Sequence, residues 1–263
     1  MNIIVCVKRV PETSDAEISI DKSGRRIDPT GLAFDLNEWD SYALEEGIRL
    51  KEKHGGTVTV ISMGGEASNE TLRKCLAMGA DEALRLSDAA FEESDGMATA
   101  RVLAEAIRKL PYDLILTGTQ AEDDGYGQVG VALAEILGIP HASLVIQLQI
   151  QEKKATLHRE LEGGLDEVLE VDLPTVLTLQ TGINEPRYVS IMGIRKVAKK
   201  EIKTYGAADL NLKPGEVGLP GSSVRVEKIF PPAVGQGATL LDGNPEEVSL
   251  KILGILKEKG GLA

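Results

Sequence analysis

The sequence predicts a doubly wound α/β fold, in which helices cover both faces of a mostly parallel sheet. Short runs of β-branched residues alternate with helical patterns over residues 1–180. Alternation at this spacing is typical of βαβ crossovers, which join neighbouring parallel strands. The length of 263 residues and the hydrophobic fraction of 42% provide enough chain to bury a large core.

Five strands and four helices account for the parallel part of the predicted fold. Runs of β-branched and aliphatic residues predict strands at 3–7, 57–62, 82–86, 114–117 and 175–179. Apolar residues at helical spacing predict helices at 37–53, 69–78, from a cap at Ser94 or Asp95 to about 110, and at 127–137. Gly79 and Gly138 follow two of these helices, as is common at helix ends.

The pattern changes after Pro140 to strands without intervening helices. Residues 144–151 and 155–162 predict a hairpin, and 167–171 adds a third strand to this small antiparallel piece. Glycine and proline recur beyond residue 203, and a last helix is predicted at about 245–257. We therefore expect an α/β nucleotide-binding domain at 1–204 and an extended C-terminal arm at 205–263 that wraps a neighbouring surface.

Composition excludes several classes of function. The formal net charge is −12, from 29 Lys+Arg and 41 Asp+Glu, which disfavours nucleic acid as a partner. Three Phe, five Tyr and one Trp leave few surfaces on which bases could stack. No apolar run approaches twenty residues, so we expect no direct membrane insertion. The first apolar run lacks the basic segment of a signal peptide, and we expect a cytoplasmic protein.

No catalytic or metal-binding constellation stands out. Cys6 and Cys75 lie in apolar surroundings without metal-ligand spacing, so we expect two reduced core residues and no bound metal. The three histidines, at positions 54, 141 and 158, are isolated from one another and suit structural or solvated roles. No nucleophile elbow is present. Any chemistry therefore belongs to a bound cofactor.

A glycine-rich segment at 118–130 is the strongest candidate for ligand binding. It follows a predicted strand and opens a helix, where free N–H groups and the helix dipole favour a phosphate. Gly125, Gly127 and Gly130 form a GxGxxG pattern, although several residues separate it from the strand. The alternative is a glycine-rich turn in which Asp123 and Asp124 are merely solvated.

A second segment, residues 187–204, concentrates positive charge in this acidic chain. It holds six basic side chains and one acidic side chain, Glu201. A solvated basic helix face would explain this composition. A docking element would also explain it, because Ile191, Met192 and Ile194 place apolar side chains beside the charges.

Several motifs in order resemble the β subunit of electron transfer flavoproteins over nearly the whole length. They are Val-Cys-Val-Lys-Arg-Val-Pro at 5–11, Asn-Glu-Trp-Asp at 37–40, Thr-Leu-Arg-Lys at 71–74 with Ala-Met-Gly-Ala-Asp at 77–81, Arg-Glu-Leu-Glu-Gly-Gly at 159–164, Leu-Pro-Thr-Val at 173–176 and Asn-Glu-Pro-Arg-Tyr at 184–188. The resemblance implies an electron carrier that is not a stand-alone enzyme. It also implies a heterodimer whose α subunit holds FAD, while the β subunit binds AMP and the C-terminal arm packs on the α subunit.

The resemblance also implies which residues form the two sites. Carried over by position, the nucleotide site comprises Cys6, Asn37, Glu38, Trp39, Asp40, Met63, Gly118, Thr119, Gln120, Ala121, Asp123, Asp124, Gly125, Tyr126, Gly127, Gln128 and Val129. The family's recognition loop falls on 184–200, and its docking residues are Arg187, Ile191, Met192, Arg195, Lys196 and Lys199. Glu160 matches a carboxylate near the flavin-bearing domain. The implied partners are acyl-CoA-type dehydrogenases as donors and a membrane quinone oxidoreductase as acceptor.

Two alternatives to this function stay open from the sequence. Electron-bifurcating members of the family hold a second FAD in place of AMP and oxidise NADH, and residues 94–99 and the long tail resemble that branch. Tyr126 stands where a small residue is usual and would occupy space that a second flavin needs, which favours AMP. The other alternative is a non-redox, stress-type adenine-nucleotide-binding protein.

Overall fold

The computed structural model describes residues 1–14, 16–233 and 237–261. The chain divides into two compact units, Met1–Glu227 and Lys228–Ala263. The sequence placed this division after residue 204, but residues 205–227 belong to the first unit, where Leu210 and Val217 are buried in the core. Within the predicted C-terminal arm, residues 234–236 and 262–263 lie outside the described residues.

A sheet of nine strands forms the centre of the first unit. Its strands, in chain order and together with the separate pair β2 and β3, are β1 (Asn2–Cys6), β2 (Arg9–Pro11), β3 (Phe34–Leu36), β4 (Thr57–Met63), β5 (Glu82–Leu86), β6 (Leu114–Gly118), β7 (His141–Gln151), β8 (Lys154–Leu161), β9 (Leu165–Asp172), β10 (Thr175–Leu179) and β11 (Lys203–Tyr205). The order across the sheet is β11-β5-β4-β1-β6-β10-β7-β8-β9. All pairings from β11 to β7 are parallel, and β8 pairs antiparallel with both of its neighbours, β7 and β9.

Helices cover both faces of this sheet. They are α1 (Glu38–His54), α2 (Ser68–Met78), α3 (Gly96–Ile107), α4 (Val129–Leu137), α5 (Ile191–Val197) and α6 (Gly218–Gly221), and the second unit contains α7 (Pro245–Glu258). One core cluster joins α1 and α2 to Ile3 and Val5 of β1, and the other joins α3 and α4 to Ile4 and Cys6. Successive residues of β1 therefore face opposite layers, which confirms the predicted doubly wound fold.

The five predicted parallel strands and four predicted helices are all present, with ends that differ by a few residues. The predicted antiparallel addition is also present, although β7 begins at His141 because its first part pairs parallel with β10. The helix α5 falls in the basic segment for which a helix face was one interpretation. The strands β2, β3 and β11 are three residues long and were not predicted. Such short elements bury too few side chains to produce a periodic pattern. In the ranges described, no helix combines the length and hydropathy needed to cross a membrane.

The strand order reverses at β1, which lies between β4 and β6. The chain proceeds from β1 through α1 to β4 on one side, and later returns to place β6 on the other side. The connections after β1 and β6 consequently leave the carboxyl ends of these strands in opposite directions. Open α/β sheets bind ligands in the crevice that such a reversal creates.

Gly130 allows α4 to lie directly on the sheet. A Cβ atom at this position would lie 2.5 Å from Cγ2 of Thr178 and 2.7 Å from Oγ1 of Thr117. We expect Gly130→Ala to lower the free energy of unfolding by about 1–3 kcal/mol, because the added methyl group overpacks this contact. Urea unfolding followed by fluorescence of Trp39, the only tryptophan, measures the change. Gly215→Ala, where no atom lies within 4 Å of the added Cβ, is the control and should leave stability nearly unchanged.

Candidate functional site

A cavity of about 260 Å³ opens at the carboxyl ends of β1 and β6. Its position is the crevice at which the strand order reverses. Residues of the parallel strands β1, β4 and β6 and of the helices α1, α3 and α4 contribute to its wall. The lining residues are Cys6, Val7, Lys8, Asn37, Asp40, Ile61, Met63, Ser94, Asp95, Gly96, Thr99, Leu103, Thr117, Gly118, Thr119, Gln120, Ala121, Asp124, Tyr126, Gly127, Gln128, Val129 and Gly130.

Two helix N-termini converge on the cavity. The helix α3 begins at Gly96, and a Cβ at Gly96 would lie 3.4 Å from Cβ of Gln128, which precedes α4. The carboxylate of Asp95 accepts a hydrogen bond from the N–H of Ala98 at 2.8 Å, whereas Gln128 provides no side-chain cap for α4. The first N–H groups of α4 are therefore available to a ligand. Since the Asp95 carboxylate already occupies the start of α3, the partial positive charge at the N-terminus of α4 is the one that favours a phosphate or another anion.

Asn37 fixes the loop that joins β6 to α4. Its Nδ2 donates to the carbonyl of Gln120 at 2.9 Å, and its Oδ1 accepts from the N–H of Glu122 at 3.0 Å. Gly125 and Gly127 have φ values of 64° and 60°, in the left-handed region that glycine adopts without strain. The side chain of Asn37 is almost fully buried, so this anchor is rigid.

Asp123 and Asp124 hold a lysine at the mouth of the cavity. Nζ of Lys8 donates to Oδ1 of Asp123 at 2.6 Å and to Oδ2 of Asp124 at 2.8 Å. Partial burial alone would lower the pKa of Lys8, but these two charged hydrogen bonds outweigh it and raise the pKa. The two aspartates therefore position a cation beside the cavity and are not merely solvated, as the alternative for this loop supposed.

A buried carboxylate joins the two strand ends below the cavity. Asp40 accepts hydrogen bonds from the N–H of Lys8 at 2.7 Å and from the N–H of Gly118 at 3.0 Å. A Cβ at Gly118 would lie 2.5 Å from Oδ1 of Asp40, so only glycine fits there. Burial raises the pKa of Asp40 to about 7, although both N–H groups favour its ionised form.

Both cysteines are buried and unpaired, as the sequence predicted. Cys6 lines the cavity, and Cys75 lies in the core beside α1. Burial raises the pKa of the Cys6 thiol to about 12 and the pKa of Cys75 above its ordinary value. Both thiols are consequently neutral near pH 7, and Cys6 supplies an apolar wall without nucleophilic character.

Most of the residues expected at the nucleotide site line the cavity. Glu38, Trp39, Asp123 and Gly125 do not. Glu38 is exposed, and Trp39 donates from Nε1 to Oε1 of Gln180 at 2.7 Å. Asp123 accepts a hydrogen bond from Lys8, and Gly125 adopts a left-handed conformation within the loop. The structure adds lining residues to the expected set, namely Val7, Lys8, Ile61, Ser94, Asp95, Gly96, Thr99, Leu103, Thr117 and Gly130. A cap residue at the start of a helix that follows a parallel strand was the available signal for α3. Direct ligand contact by each residue stays a prediction.

The expected docking segment packs on the layer of α1 and α2, whereas the cavity opens at the carboxyl ends of the strands. Its centre is the short helix α5, which the Ser190 side chain caps by accepting from the N–H of Gly193 at 3.1 Å. Val189 and Val197 pack on the core beside α1 and α2. The remaining expected docking residues except Arg187 are exposed, and 70% of the Ile191 surface and 62% of the Met192 surface are accessible.

Comparisons with known proteins cover nearly the whole chain. The profile described as "Electron transfer flavoprotein domain" matches residues 26–210. The chain is 39% identical to "Electron transfer flavoprotein subunit beta" of Methylophilus methylotrophus, over 99% of this chain and 100% of that protein. It is 41% identical to "Caffeyl-CoA reductase-Etf complex subunit CarD" of Acetobacterium woodii, over 98% and 99%. It is 37% identical to "Protein FixA" of Azotobacter vinelandii, over 88% and 84%.

The raised pKa of Asp40 predicts a pH dependence of stability. Between its unfolded value of about 4 and its folded value of about 7, the native state binds more protons than the unfolded state. The stability from this group is therefore full below about pH 4 and is lost as the pH rises through about 7. Relative to Asp40→Asn, the wild-type free energy of unfolding should fall by on the order of 1 kcal/mol per pH unit in this window.

Urea unfolding at several pH values measures this difference. The control is Asp28→Asn, an exposed carboxyl group whose pKa is lowered mainly by a hydrogen bond from Thr30. It should show no such decline from pH 4 to pH 7. A constant difference between wild type and Asp40→Asn over the window would contradict the assignment.

Proposed function

We propose that this chain, which belongs to the electron transfer flavoprotein family as a beta subunit, binds AMP at the strand reversal and docks dehydrogenases through α5. The family transfers electrons, and its beta subunit forms a heterodimer with an alpha subunit. Family membership excludes one of the two alternatives, a stress-type adenine-nucleotide-binding protein without redox partners. The site residues, the nucleotide and the dehydrogenase are the parts that we propose.

The convergence of α3 and α4 on the cavity is the observation that carries the nucleotide proposal. The phosphate of AMP would lie at the uncapped N-terminus of α4, near the Lys8 ammonium group that Asp123 and Asp124 hold at the mouth. Apolar atoms of Cys6, Ile61, Met63 and Leu103 would accommodate the adenine. The cavity of about 260 Å³ lies just below the usual range of about 300–1,000 Å³ for ligand sites, which suits a mononucleotide better than the larger FAD.

The redox flavin of the heterodimer would be an FAD held mainly by the alpha subunit, and it supplies the electron-transfer chemistry. This chain would contribute placement of that subunit and shielding from water. Glu160, on the β8–β9 hairpin, accepts a hydrogen bond from Nε2 of Gln180 at 3.3 Å, and Gln180 in turn accepts from Trp39. We propose that this ordered carboxylate faces the alpha subunit. The C-terminal arm, including α7, would pack on the same partner.

The surface of α5 has the composition of a docking site for transient partners. Exposed Ile191 and Met192 provide an apolar centre, and Arg195, Lys196 and Lys199 surround it with positive charge. We propose that acyl-CoA-type dehydrogenases bind here and reduce the flavin, which then passes electrons toward a membrane quinone oxidoreductase. The body of this chain is acidic, so a basic docking segment also orients the encounter.

A second FAD in the cavity, with NADH as donor, is the second candidate. Lining residues Ser94 to Thr99 extend the cavity along α3, and the relative from Acetobacterium woodii is named as a subunit of a caffeyl-CoA reductase complex. Tyr126 favours AMP, because it lines the cavity with a large side chain that would take space from a second flavin.

The nucleotide content of the purified heterodimer tests the AMP proposal. We expect one AMP and one FAD per heterodimer after acid release, identified by mass spectrometry and absorbance. Two flavins per heterodimer would instead establish the second candidate. We also expect Gly127→Ala to weaken AMP binding about tenfold, because φ is 60° and the added Cβ would lie 3.3 Å from the carbonyl of Thr119 at the phosphate loop.

Gly138→Ala is the matched control for this variant. Gly138 ends the same helix with φ of 69°, so alanine meets similar backbone strain far from the cavity. Titration of AMP into nucleotide-free heterodimer should give the wild-type affinity for Gly138→Ala. Equal weakening by both variants would show that the effect comes from strain in α4 and not from phosphate contact.

Ile191→Ala tests the docking surface. We expect the KM of an acyl-CoA dehydrogenase for the heterodimer to rise about tenfold, since a truncated apolar anchor commonly costs more than 1 kcal/mol. AMP and FAD content should stay unchanged. Steady-state flavin reduction measures this effect, with Ile18→Ala, an exposed isoleucine outside the segment, as control. An unchanged KM for Ile191→Ala would exclude α5 as the docking site.

A further inference from the structure

A nearly fully buried carboxylate on α1 holds the start of the docking segment. Glu45 is 2% exposed, and four hydrogen bonds reach its two oxygens. Arg187 donates to it from Nε at 2.8 Å, from Nη2 at 3.2 Å and from its backbone N–H at 3.2 Å, and Arg49 donates from Nε at 2.7 Å. The carboxylate of Glu45 thus holds the guanidinium groups of Arg187 and Arg49 and the backbone N–H of residue 187.

The guanidinium of Arg187 is fully engaged within the chain. Beyond its bonds to Glu45, Nη1 and Nη2 donate to the carboxylate of Glu52 at 2.8 Å and 3.2 Å. These hydrogen bonds raise the pKa of Arg187. Burial alone would raise the pKa of Glu45, but the hydrogen bonds from Arg187 and Arg49 outweigh it and lower the pKa. The pair therefore stays ionised across neutral pH.

Further contacts hold the docking segment on both sides of the Glu45–Arg187 ion pair. Nδ2 of Asn184 donates to the carbonyl of Tyr42 at 3.1 Å and to Oε2 of Glu46 at 3.0 Å. Beyond α5, Nη1 of Arg73 donates to the carbonyls of Val197 and Lys200 at 3.2 Å and 3.3 Å. Between these anchors no residue of α5 is fully buried and Val197 packs partly buried on the core, so the anchors contribute to its position.

We propose that Glu45 is a positioning residue, which holds Arg187 and thereby presents α5 to partners in a fixed orientation. The proposal rests on docking by α5 and assigns Arg187 a role inside the chain in place of the partner contact implied by resemblance. A segment of seven helical residues with exposed apolar side chains would otherwise lose conformational freedom on binding. The Glu45–Arg187 ion pair orders the segment before a partner binds. Its effect therefore lies in partner affinity and not in the electron-transfer step.

Glu45→Gln in the heterodimer tests this role, because the neutral amide removes the charge while nearly keeping the shape. We expect the KM of an acyl-CoA dehydrogenase for the heterodimer to rise about tenfold with kcat unchanged. Trypsin, which needs no partner, should cleave after Arg195 and Lys196 about tenfold faster. AMP and FAD content should remain at wild-type levels. Glu105→Gln is the matched control: it removes a helical Glu–Arg pair, with Arg108, on the other face of the sheet.

The outcomes separate this inference from the docking proposal. If Ile191→Ala raises KM and Glu45→Gln leaves both KM and cleavage unchanged, the positioning role is overturned and docking by α5 stands. A loss of kcat or of nucleotide with unchanged KM would also overturn it, since that pattern indicates general destabilisation. If Glu45→Gln yields no heterodimer, Arg187→Lys decides, because it keeps the charge and loses the forked donors. We expect it to raise KM about threefold or more, and a wild-type KM would overturn the role.

Discussion

The candidate site depends on the hydrogen bonds that join Asp40 to the ends of β1 and β6. At the strand reversal the segments that follow β1 and β6 run in opposite directions. Their first N–H groups would otherwise point into the crevice without partners. Asp40 accepts from both, at residues 8 and 118, and Gly118 leaves room for its carboxylate. The carboxylate is buried, so it is costly when ionised and its pKa is raised. Because Asp40 lies below the cavity and Asp95 caps α3, the uncapped N-terminus of α4 is the place for an anion.

The helix α1 serves both proposed sites of the molecule. Its N-terminal end contributes Asn37 and Asp40 to the cavity, while Glu45, Glu46 and Glu52 hold the docking segment about one to three turns further on. The docking segment packs on the layer of α1 and α2 and the cavity opens at the carboxyl ends of the strands, so the two proposed sites are separate. A rigid helix packed in the core is a suitable support for both, because its position is set by buried contacts of Leu44 and Ile48.

The charge pattern gains a structural explanation from these contacts. The acidic excess of the chain is partly engaged in internal pairs: Asp123 and Asp124 with Lys8, and Glu45 and Glu52 with Arg187. In the basic segment the charges do not act alike. Arg187 is engaged inside the chain, whereas Arg195, Lys196 and Lys199 are exposed. A count of basic residues could not make this distinction, because it depends on which carboxylates the fold brings near.

The sequence alone determined the parallel α/β class, five of the seven strands that pair in parallel, four helices and the glycine-rich loop, because these features are local and periodic. The GxGxxG pattern was a weak signal, yet Gly125 and Gly127 adopt left-handed conformations and Gly130 permits close helix packing. Only the tertiary structure brought Ser94 to Thr99 into the cavity, paired Lys8 with residues more than a hundred positions away, and clasped Arg187 to Glu45. These contacts join side chains through the strand order of the sheet, and that order depends on long-range packing, which no local pattern of residues encodes.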